Sequence, residues 1–231
     1  MKIFRINNLF NREKKHRVFD GKLVYGLEKN KIDCFIDIGA NYGQTALEIM
    51  KWGYKKKIIS IEPVKECHNH LLKISKNYKN WEVLERMAVG DFDGETQINV
   101  SMATDLSSIM RPTALLKNSF KKVETKHIEN VKIKTIDTIF ENIDFKKNVF
   151  LKIDAQGYDF KILKSSKIFL KKIKGIMIEA SLVPLYEEQE SYLDVINFLE
   201  SMGMRPHMIC ERTFSRKTNQ QLQIDLVYFI N

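Results

Sequence analysis

Residues 34–50 read CFIDIGANYGQTALEIM, and this stretch decides the fold class. Its first half is an apolar run typical of a short buried strand, and the residues after Gly43 have the spacing of an amphipathic helix. Between them, Asp37 stands at the entrance of the turn that runs from Gly39 to Gly43. Glycine turns at the start of a helix usually bind phosphate, which a carboxylate would repel. The stretch therefore predicts a strand, a tight turn and a helix that serve a ligand other than a diphosphate.

The same alternation of strand and helix continues along the chain. Amphipathic helical patterns separate four further apolar segments, which read as strands: KIISIEP (57–63), WEVLERMAVG (81–90), NVFLKID (148–154) and GIMIEAS (175–181). Apolar strands that alternate with amphipathic helices predict a parallel sheet covered by helices on both faces. We therefore expect an α/β fold with a single doubly wound, Rossmann-like domain and a mostly parallel sheet of seven strands.

Two antiparallel additions are expected on this sheet. The segments RPHMIC (205–210) and LQIDLVYFI (222–230) predict an antiparallel hairpin at the C-terminal end, on one edge. Asp93-Gly94 predicts a small inserted hairpin after the third strand, with TQINVS (96–101) as one of its strands. Residues 101–126 are polar and irregular, and a loop of that length is often functional.

The chain of 231 residues is long enough for one α/β domain with a full core. We expect residues 1–33 to form a basic N-terminal arm, with a short amphipathic helix in IFRINNLF (3–10), and residues 34–231 to form the domain. The net charge is +9, which fits either a lysine-rich solvated surface or a weak contact of the basic arm with an anionic surface. No sequence resembling an RNA-binding motif accompanies the charge, so no specific nucleic acid is expected as a partner.

No window of 18 residues is free of charge, and the N-terminus lacks the apolar block of a signal peptide, so the expected location is cytoplasmic. The three cysteines are few and far apart, which fits a reduced compartment. Cys67 lies near His68 and His70, but it falls on an apolar helical stripe, and we interpret it as a core residue. No metal site is predicted.

In a doubly wound sheet, ligands bind beyond the carboxyl ends of the strands. Carboxylates concentrate at those ends, which are read as Asp37-Ile38-Gly39, Glu62-Pro63, Ala88-Val89-Gly90, Asp154-Ala155-Gln156-Gly157 and Glu179-Ala180-Ser181. The turn also departs from the dinucleotide pattern G-x-G-x-x-G, because Asn41 and Gln44 stand where its second and third glycines would be. Such a site favours a ligand that is positively charged and has no phosphate.

S-Adenosylmethionine has these properties. Its sulfonium and ammonium groups are positive, and Asp37 would attract them directly or through water. Its carboxylate would lie near the amides that open the helix at Gly43, Gln44 and Thr45. Its ribose needs an acid at the end of the second strand, and Glu62 stands there. Glu62 alone does not distinguish this cofactor from NAD.

The ordered set of motifs resembles the FkbM-type methyltransferases, a branch of the class I S-adenosylmethionine-dependent enzymes. Six segments in the right order carry the resemblance over residues 32–230: FIDIGANYGQTA, IISIEP, AVGDFDGE, the SS pair at 107–108, TIDTIF and LKIDAQGYDFKIL. The last segment resembles the family signature L-K-I-D-x-E-G-x-E-x-x-x-L. Gln156 and Asp159 replace its two usual glutamates.

The resemblance implies S-adenosyl-L-methionine as the cofactor, with S-adenosyl-L-homocysteine as the product. Carried over by position, the residues expected to bind it are Asp37, Gly39, Ala40, Asn41, Gly43, Gln44, Thr45, Glu62, Pro63, Ala88 and Val89. Glu62 would be the ribose acid, and Ala88 with its neighbours would form the adenine wall. The resemblance also implies O-methylation of a sugar, a glycan or another small molecule.

Three side chains are candidates for the base that activates the acceptor hydroxyl. Asp154 is the first, because it ends the fourth strand beside the expected methyl group. Glu179, at the end of the fifth strand, could orient the acceptor together with Ser181. His127, in the long polar segment, is the third candidate, because histidine is a common proton-transfer residue. Asp154 and Glu179 could also share a divalent metal, which two acids do not specify.

Residues 101–126, with Thr104, Asp105, Ser107 and Ser108, are expected to rim the pocket, to close over the acceptor and to set specificity. Other functions remain open at this level. They are a nucleic-acid methyltransferase, a non-catalytic binding protein with a cofactor fold and, more remotely, an NAD-dependent oxidoreductase. A homo-oligomer is also left open.

Overall fold

The computed structural model describes residues 18–143 and 148–230. Its main sheet has seven strands in the order β3-β2-β1-β7-β8-β12-β9. The strands are β1 Cys34–Ile38, β2 Lys57–Ile61, β3 Trp81–Val83, β7 Val149–Ile153, β8 Ile173–Ser181, β9 Met204–Glu211 and β12 Gln223–Ile230. The pairings among β3, β2, β1, β7 and β8 are all parallel, whereas β12 is antiparallel to both of its neighbours. The expected doubly wound α/β fold with a mostly parallel seven-stranded sheet is confirmed.

Helices cover both faces of this sheet, because consecutive strand residues point to opposite sides. Phe35 of β1 packs into a cluster with residues of the N-terminal helices, whereas its neighbour Ile36 packs into a cluster with residues of the C-terminal helices. The helices are α1 Phe19–Lys29, α2 Gln44–Lys51, α3 Lys65–Ser75, α4 Ala114–Ser119, α5 Ile136–Ile139, α6 Asp159–Ser165 and α7 Tyr192–Ser201. Within residues 18–143 and 148–230, no helix combines the length and the apolar character needed to span a lipid bilayer.

A second, three-stranded sheet lies beside the main one, in the order β4-β6-β5. Its strands are β4 Ala88–Val89, β5 Gly94–Ser101 and β6 Thr125–Lys134. The expected single strand over 81–90 is therefore wrong, because β3 ends at Val83 and β4 pairs with β6 instead of β2. Arg86 lies in the connection and donates hydrogen bonds to the backbone oxygens of Pro63 and Asn130, which turns the chain towards the second sheet.

The inserted hairpin exists, but its turn is not at Asp93-Gly94. The strands that flank this dipeptide do not pair with each other, because β6 lies between β4 and β5. The antiparallel hairpin is formed by β5 and β6, and residues 102–124 connect them. Asp93 instead accepts hydrogen bonds from the Thr135 amide at 2.8 Å and the Thr138 hydroxyl at 2.7 Å, which fixes the start of α5.

The C-terminal strands form the expected antiparallel pair, with one topological difference. β12 lies between β8 and β9, so the last strand of the chain is inserted into the sheet and does not form its edge. A small pair of strands, β10 Phe214–Ser215 and β11 Gln220–Gln221, lies in the connection between β9 and β12. This insertion aligns Asp225 of β12 with Glu179 of β8.

Helix α1 packs on the same core as the strands. Leu23, Val24 and Leu27 on its inner face are buried in the cluster that contains Phe35 and Phe229. The part of the expected N-terminal arm from residue 19 onwards is thus continuous with the domain core. The helix expected in residues 3–10 lies outside the described residues.

Candidate active site

The register of the parallel strands brings three loop beginnings together at one edge of the sheet. Ile38, the last residue of β1, pairs with Ile61 at the end of β2 and with Ile153 at the end of β7. The next residues along each segment are therefore neighbours: Gly39, Glu62 and Asp154. A cavity opens at this edge, and all three residues line it.

The chemical character of the cavity is acidic and apolar. Its charged lining residues are Glu62, Asp105 and Asp154, and no lysine or arginine belongs to the lining formed by the described residues. The apolar wall includes Met87, Ala88, Val89, Ile98 and Ile109. A cavity with carboxylates and without basic side chains suits a ligand with positive charge and no phosphate, and its apolar wall suits a flat ring.

Gly39 permits a very close approach between two of these loops. Its φ of +71° is in the left-handed region, and a Cβ added to it would lie 1.8 Å from the carbonyl oxygen of Asp154. Only glycine fits a position that combines this φ with this contact. The backbone of the first loop therefore packs directly on the backbone of the loop after β7, which brings the two halves of the site together.

Glu62 organises the glycine turn from the neighbouring strand end. Its Oε2 accepts a hydrogen bond from the Asn41 amide at 2.7 Å, and its Oε1 accepts one from the Val64 amide at 2.7 Å. Burial raises the pKa of Glu62 to about 7, although these two amides lower it. Each carboxylate oxygen keeps one lone pair that can accept a hydroxyl proton, so the same side chain can hold the turn and a ribose.

The remaining residues of the predicted cofactor loop have different positions. Asn41 lines the cavity and contacts Thr104, with Nδ2 of Asn41 3.3 Å from Oγ1 of Thr104. Ala40 is buried in the core, and a Cβ on Gly43, with its φ of +85°, would lie 2.6 Å from the Trp81 ring. Gly43 is thus required for packing, and these two residues shape the loop from behind.

Three further predicted cofactor residues differ in whether they line the cavity. Pro63 lines the main cavity, next to Glu62. Gln44 lines an adjoining polar cleft that shares Asn41, Thr104 and Asp105 with the main cavity. Thr45 is half-buried on α2 and lines neither the cavity nor the cleft among their described residues.

Asp37 lies below the cavity and not in its lining. It is fully buried, and its counter-charge is Lys152 of β7, whose Nζ lies 3.0 Å from Oδ1 of Asp37. The same ammonium lies 3.3 Å from Oδ2 of Asp154. Burial raises the pKa of Asp37 above its ordinary value, although the charge of Lys152 lowers it. Burial lowers the pKa of Lys152, but the nearby carboxylates Asp37 and Asp154 outweigh burial and raise this pKa above its ordinary value. The acid at the turn is thus paired with a buried lysine that the sequence pattern did not single out.

Comparison with known proteins identifies the family of this chain. The model of the methyltransferase FkbM domain family matches residues 37–206, which is well over half of the chain. The chain belongs to the FkbM methyltransferase family. The comparison with curated proteins finds no match.

One solved structure agrees with the FkbM assignment at the level of the fold. The FkbM methyltransferase from Methylobacillus flagellatus KT is similar with a TM-score of 0.54 and 16% sequence identity, over 86% of this chain and 44% of that protein. This chain therefore spans less than half the length of that relative. A SAM-dependent methyltransferase from Aquifex aeolicus matches with a TM-score of 0.42 and 15% identity, over 90% of this chain and 88% of that one.

The polar segment of this FkbM methyltransferase follows the rim of the cavity. Thr104, Asp105, Ser107 and Ser108 all line it, as the sequence predicted. The segment is built from a 3₁₀ turn at Thr104–Leu106, helix α4 and a second 3₁₀ turn at Lys121–Val123. It is anchored at two points between its first 3₁₀ turn and α4, because Asn99 forms a bridge with Ser108 and Pro112 forms one with Tyr186.

The FkbM signature segment forms the loop that follows β7. Asp159 replaces a glutamate of the signature and accepts hydrogen bonds from the Ala155 amide at 2.8 Å and the Gly157 amide at 2.9 Å. It is fully buried, and burial together with the nearby Asp154 raises its pKa to about 7. Asp159 thus fixes the loop by its backbone, and the shorter side chain is sufficient for this role.

Gln156 replaces the other signature glutamate and has a central place in the site. Its Nε2 donates to Asp154 Oδ1 at 2.9 Å and to Glu179 Oε2 at 3.2 Å, and its Oε1 accepts from the Tyr186 hydroxyl at 3.0 Å. The structure therefore brings together the two acids that the sequence named as catalytic candidates. Asp154 lines the cavity, whereas Glu179 lies one step behind it, held by Gln223 at 2.6 Å.

His127, the third catalytic candidate, does not join this site. It lies on β6 with an exposed side chain, and its Nε2 is 3.0 Å from Oε1 of Glu129, outside the lining of the cavity. His127 and Glu129 are two residues apart on β6, so they share one face of the strand and pair with each other. Cys67 is fully buried in an apolar cluster with Val64 and Ala88, as expected for a core residue.

Proposed function

We propose that this FkbM methyltransferase domain uses S-adenosylmethionine to methylate a hydroxyl group of a sugar, a glycan or another small molecule. The observation that carries the proposal is the cavity at the strand ends, whose charged lining is entirely acidic among the described residues. Such a lining suits a sulfonium and an ammonium group and disfavours a pyrophosphate. The family resemblance supplies the preference for oxygen as the acceptor.

The residues at the cavity fit the cofactor. Glu62 would accept the ribose hydroxyls, because both of its oxygens retain a lone pair beside the cavity. The apolar residues Met87, Ala88 and Val89 would cover the adenine ring. The main-chain amide and the side chain of Gln44, which opens α2 and borders the adjoining cleft, would hold the amino-acid end.

When bound, S-adenosylmethionine supplies a methyl group attached to a positively charged sulfur. A nucleophile in line with the carbon–sulfur bond can take this methyl group, and the sulfur leaves with the bonding electrons as S-adenosylhomocysteine. A neutral hydroxyl needs to lose its proton during this attack. Asp154 would accept that proton, because its carboxylate lines the cavity and is about a quarter exposed. Lys152, whose Nζ lies 3.3 Å from Asp154 Oδ2, holds this carboxylate in place at the cavity.

The acceptor would enter beside the polar segment at residues 104–108. Hydroxyl and carboxylate groups of Thr104, Asp105, Ser107 and Ser108 border the cavity there, and they match the hydrogen-bonding needs of a sugar. We expect this segment to close over the acceptor and to choose it. A small-molecule or glycan partner follows from this surface.

The test is a binding and turnover experiment with the purified chain. Calorimetry should detect S-adenosylmethionine and S-adenosylhomocysteine but not NAD. A mass-spectrometric screen with sugars, lipid-linked glycans, small phenols and transfer RNA should then show a mass gain of one methyl group on a hydroxyl compound.

The Asp154→Asn variant separates catalysis from cofactor binding. We expect kcat to fall by roughly 10²- to 10⁴-fold, which is the usual contribution of a positioned base, while cofactor affinity is retained. Methylation of RNA only, or binding of NAD in place of S-adenosylmethionine, would overturn the proposed function.

A further inference from the structure

The side-chain amide of Gln156 holds the two acids of the site in place. The donors on Nε2 face Asp154 at 2.9 Å and Glu179 at 3.2 Å. The backbone oxygen of the same residue accepts a hydrogen bond from Ser108 Oγ at 2.6 Å, which attaches it to the rim of the cavity. The φ of Gln156 is +49°, so a left-handed backbone conformation is retained to place this side chain.

The chemistry of the neighbours determines which way the amide faces. A reversed amide would put Oε1 against two carboxylates, so Nε2 is the atom that meets them. The Tyr186 hydroxyl supplies the donor on the opposite side, 3.0 Å from Oε1. The Tyr186 ring is positioned by Gly157, where an added Cβ would lie 2.6 Å from the ring. The orientation of Gln156 is therefore fixed from both ends.

Several ionisable groups face this amide and Asp154 from the surrounding elements. They are Asp37 on β1, Asp105 on the rim, Lys152 on β7, Asp159 on α6, Glu179 on β8, Tyr186 in the segment before α7, Arg212 after β9 and Asp225 on β12. Acids outnumber bases in this set. Carboxylates that are buried close together cannot all ionise, so protons must be distributed among them.

Asp154 differs from the other acids of this group in its contacts. Burial, together with the neighbouring carboxylates, raises the pKa of Glu179 well above its ordinary value, and burial raises the pKa of Asp225 to about 6. Asp154 has a different environment, because Lys152 and the Gln156 amide each contact one of its two oxygens. Of the acids in this group, Asp154 and Asp105 line the cavity, and Asp154 is the one that the Gln156 amide contacts.

We propose that Gln156 is a positioning residue that holds Asp154 in place at the cavity through its side-chain N–H donors, which a glutamate at position 156 would lack. The proposal rests on the proposed function, in which Asp154 accepts the proton of the acceptor hydroxyl. A glutamate would replace two N–H donors with oxygens 2.9 Å and 3.2 Å from carboxylate oxygens. It would have to take up a proton or repel both acids.

The first test needs neither the cofactor nor the acceptor. The free energy of unfolding of Gln156→Glu should lie below that of the wild type, and the deficit should be larger at pH 8 than at pH 5. The sign follows because a buried glutamate with a raised pKa binds more protons folded than unfolded, so its folded state loses stability as pH rises. The control is Gln97→Glu, the same change at an exposed site on β5, which should show no such growth. An equal deficit at both pH values would overturn the proposal.

The second test measures the kinetics of methyl transfer. With wild-type turnover established, Gln156→Glu should lower kcat by roughly ten- to a hundredfold, as expected when a catalytic group is misplaced, with an unchanged KM for S-adenosylmethionine. The acidic limb of its pH profile should move to higher pH. Tyr186→Phe, which removes only the hydroxyl that orients the amide, should lower kcat in the same direction by a smaller factor.

The outcomes separate the two proposals. A wild type that methylates no hydroxyl compound contradicts the proposed function. An active wild type combined with a Gln156→Glu variant that has the same kcat and the same pH profile contradicts the role of Gln156 alone. A loss of kcat in Gln156→Glu without any change in the pH profile also contradicts it, because a merely structural defect would have that effect.

Discussion

At the scale of single residues, the buried charges distinguish this site from an ordinary hydrophobic strand end. Lys152 lies in the middle of LKID, where the flanking apolar residues predict a fully buried strand. A buried ammonium is costly unless a partner compensates it, and Asp37 and Asp154 provide that partner from two other positions. The three charges form one unit, so the removal of any member affects the other two.

We predict that Lys152→Met is destabilised by about 3–5 kcal/mol, because it leaves Asp37 buried without a counter-charge. The double variant Asp37→Asn/Lys152→Met should recover part of this loss. Chemical denaturation at pH 7 measures both. The matched control is Lys57→Met, which removes a half-exposed lysine paired with Glu82 and should cost at most about 1 kcal/mol. Equal losses for the two lysines would contradict the interpretation of a buried charge unit.

At the scale of elements, the glycine turn is a packing device as well as a ligand loop. The turn after β1 meets the loop after β7 through backbone atoms, and Glu62 holds the turn from the side of β2. Three segments that are distant in sequence therefore fix one another. Substitutions in the turn should therefore lower the stability of the fold even in the absence of ligand.

We predict that Gly39→Ala lowers stability by about 3 kcal/mol or more, because a strained backbone coincides with a clash against the carbonyl of Asp154. Gly53→Ala is the matched control. Gly53 has a φ of +104°, but nothing lies within 4 Å of the added Cβ, so only the backbone strain of roughly 1–2 kcal/mol applies. Urea midpoints compare the two variants. A Gly39→Ala protein that is no less stable than Gly53→Ala would contradict the close approach.

At the scale of the whole molecule, charge is distributed unevenly. The chain has a net charge of +9, yet the cavity and the region behind it contain acids at nearly every charged position. Burial raises the pKa of Glu62 to about 7, that of Asp159 to about 7 and that of Asp225 to about 6. The active site thus stores unfavourable electrostatic energy that a cationic ligand would relieve.

This arrangement predicts an inverse pH dependence of stability in the absence of ligand. Carboxyl groups with raised folded pKa values bind more protons in the folded state between about pH 4 and pH 7, so stability falls as pH rises through this range. Tm should therefore be lower at pH 8 than at pH 5.5. S-Adenosylmethionine should stabilise the protein more at pH 8, where the acids are ionised. Scanning calorimetry with and without the cofactor measures both effects, and a Tm that rises with pH in its absence would contradict the prediction.

Much of the fold could be predicted because local periodicity reports directly on which residues are buried. The alternation around residues 34–50 and its repeats predicted the sheet, its helices and the strand ends at which Glu62 and Asp154 lie. The third strand was the exception. Residues 81–90 look like one strand, but Arg86 finds partners on the second sheet, and a pattern of single residues does not contain that contact.

The sequence by itself determined the family, the alternating architecture and the edge of the sheet where the ligand site lies, because each depends on the order and spacing of residues along the chain. Only the tertiary structure decided that Lys152 neutralises Asp37, that Gln156 joins Asp154 to Glu179 and that His127 lies outside the cavity. Those relations depend on strand order and register, which bring Lys152 to 3.0 Å from Asp37 and Gln156 to 3.2 Å from Glu179, although these residues are far apart in sequence. Charge interactions at such distances are strong only where the fold excludes water.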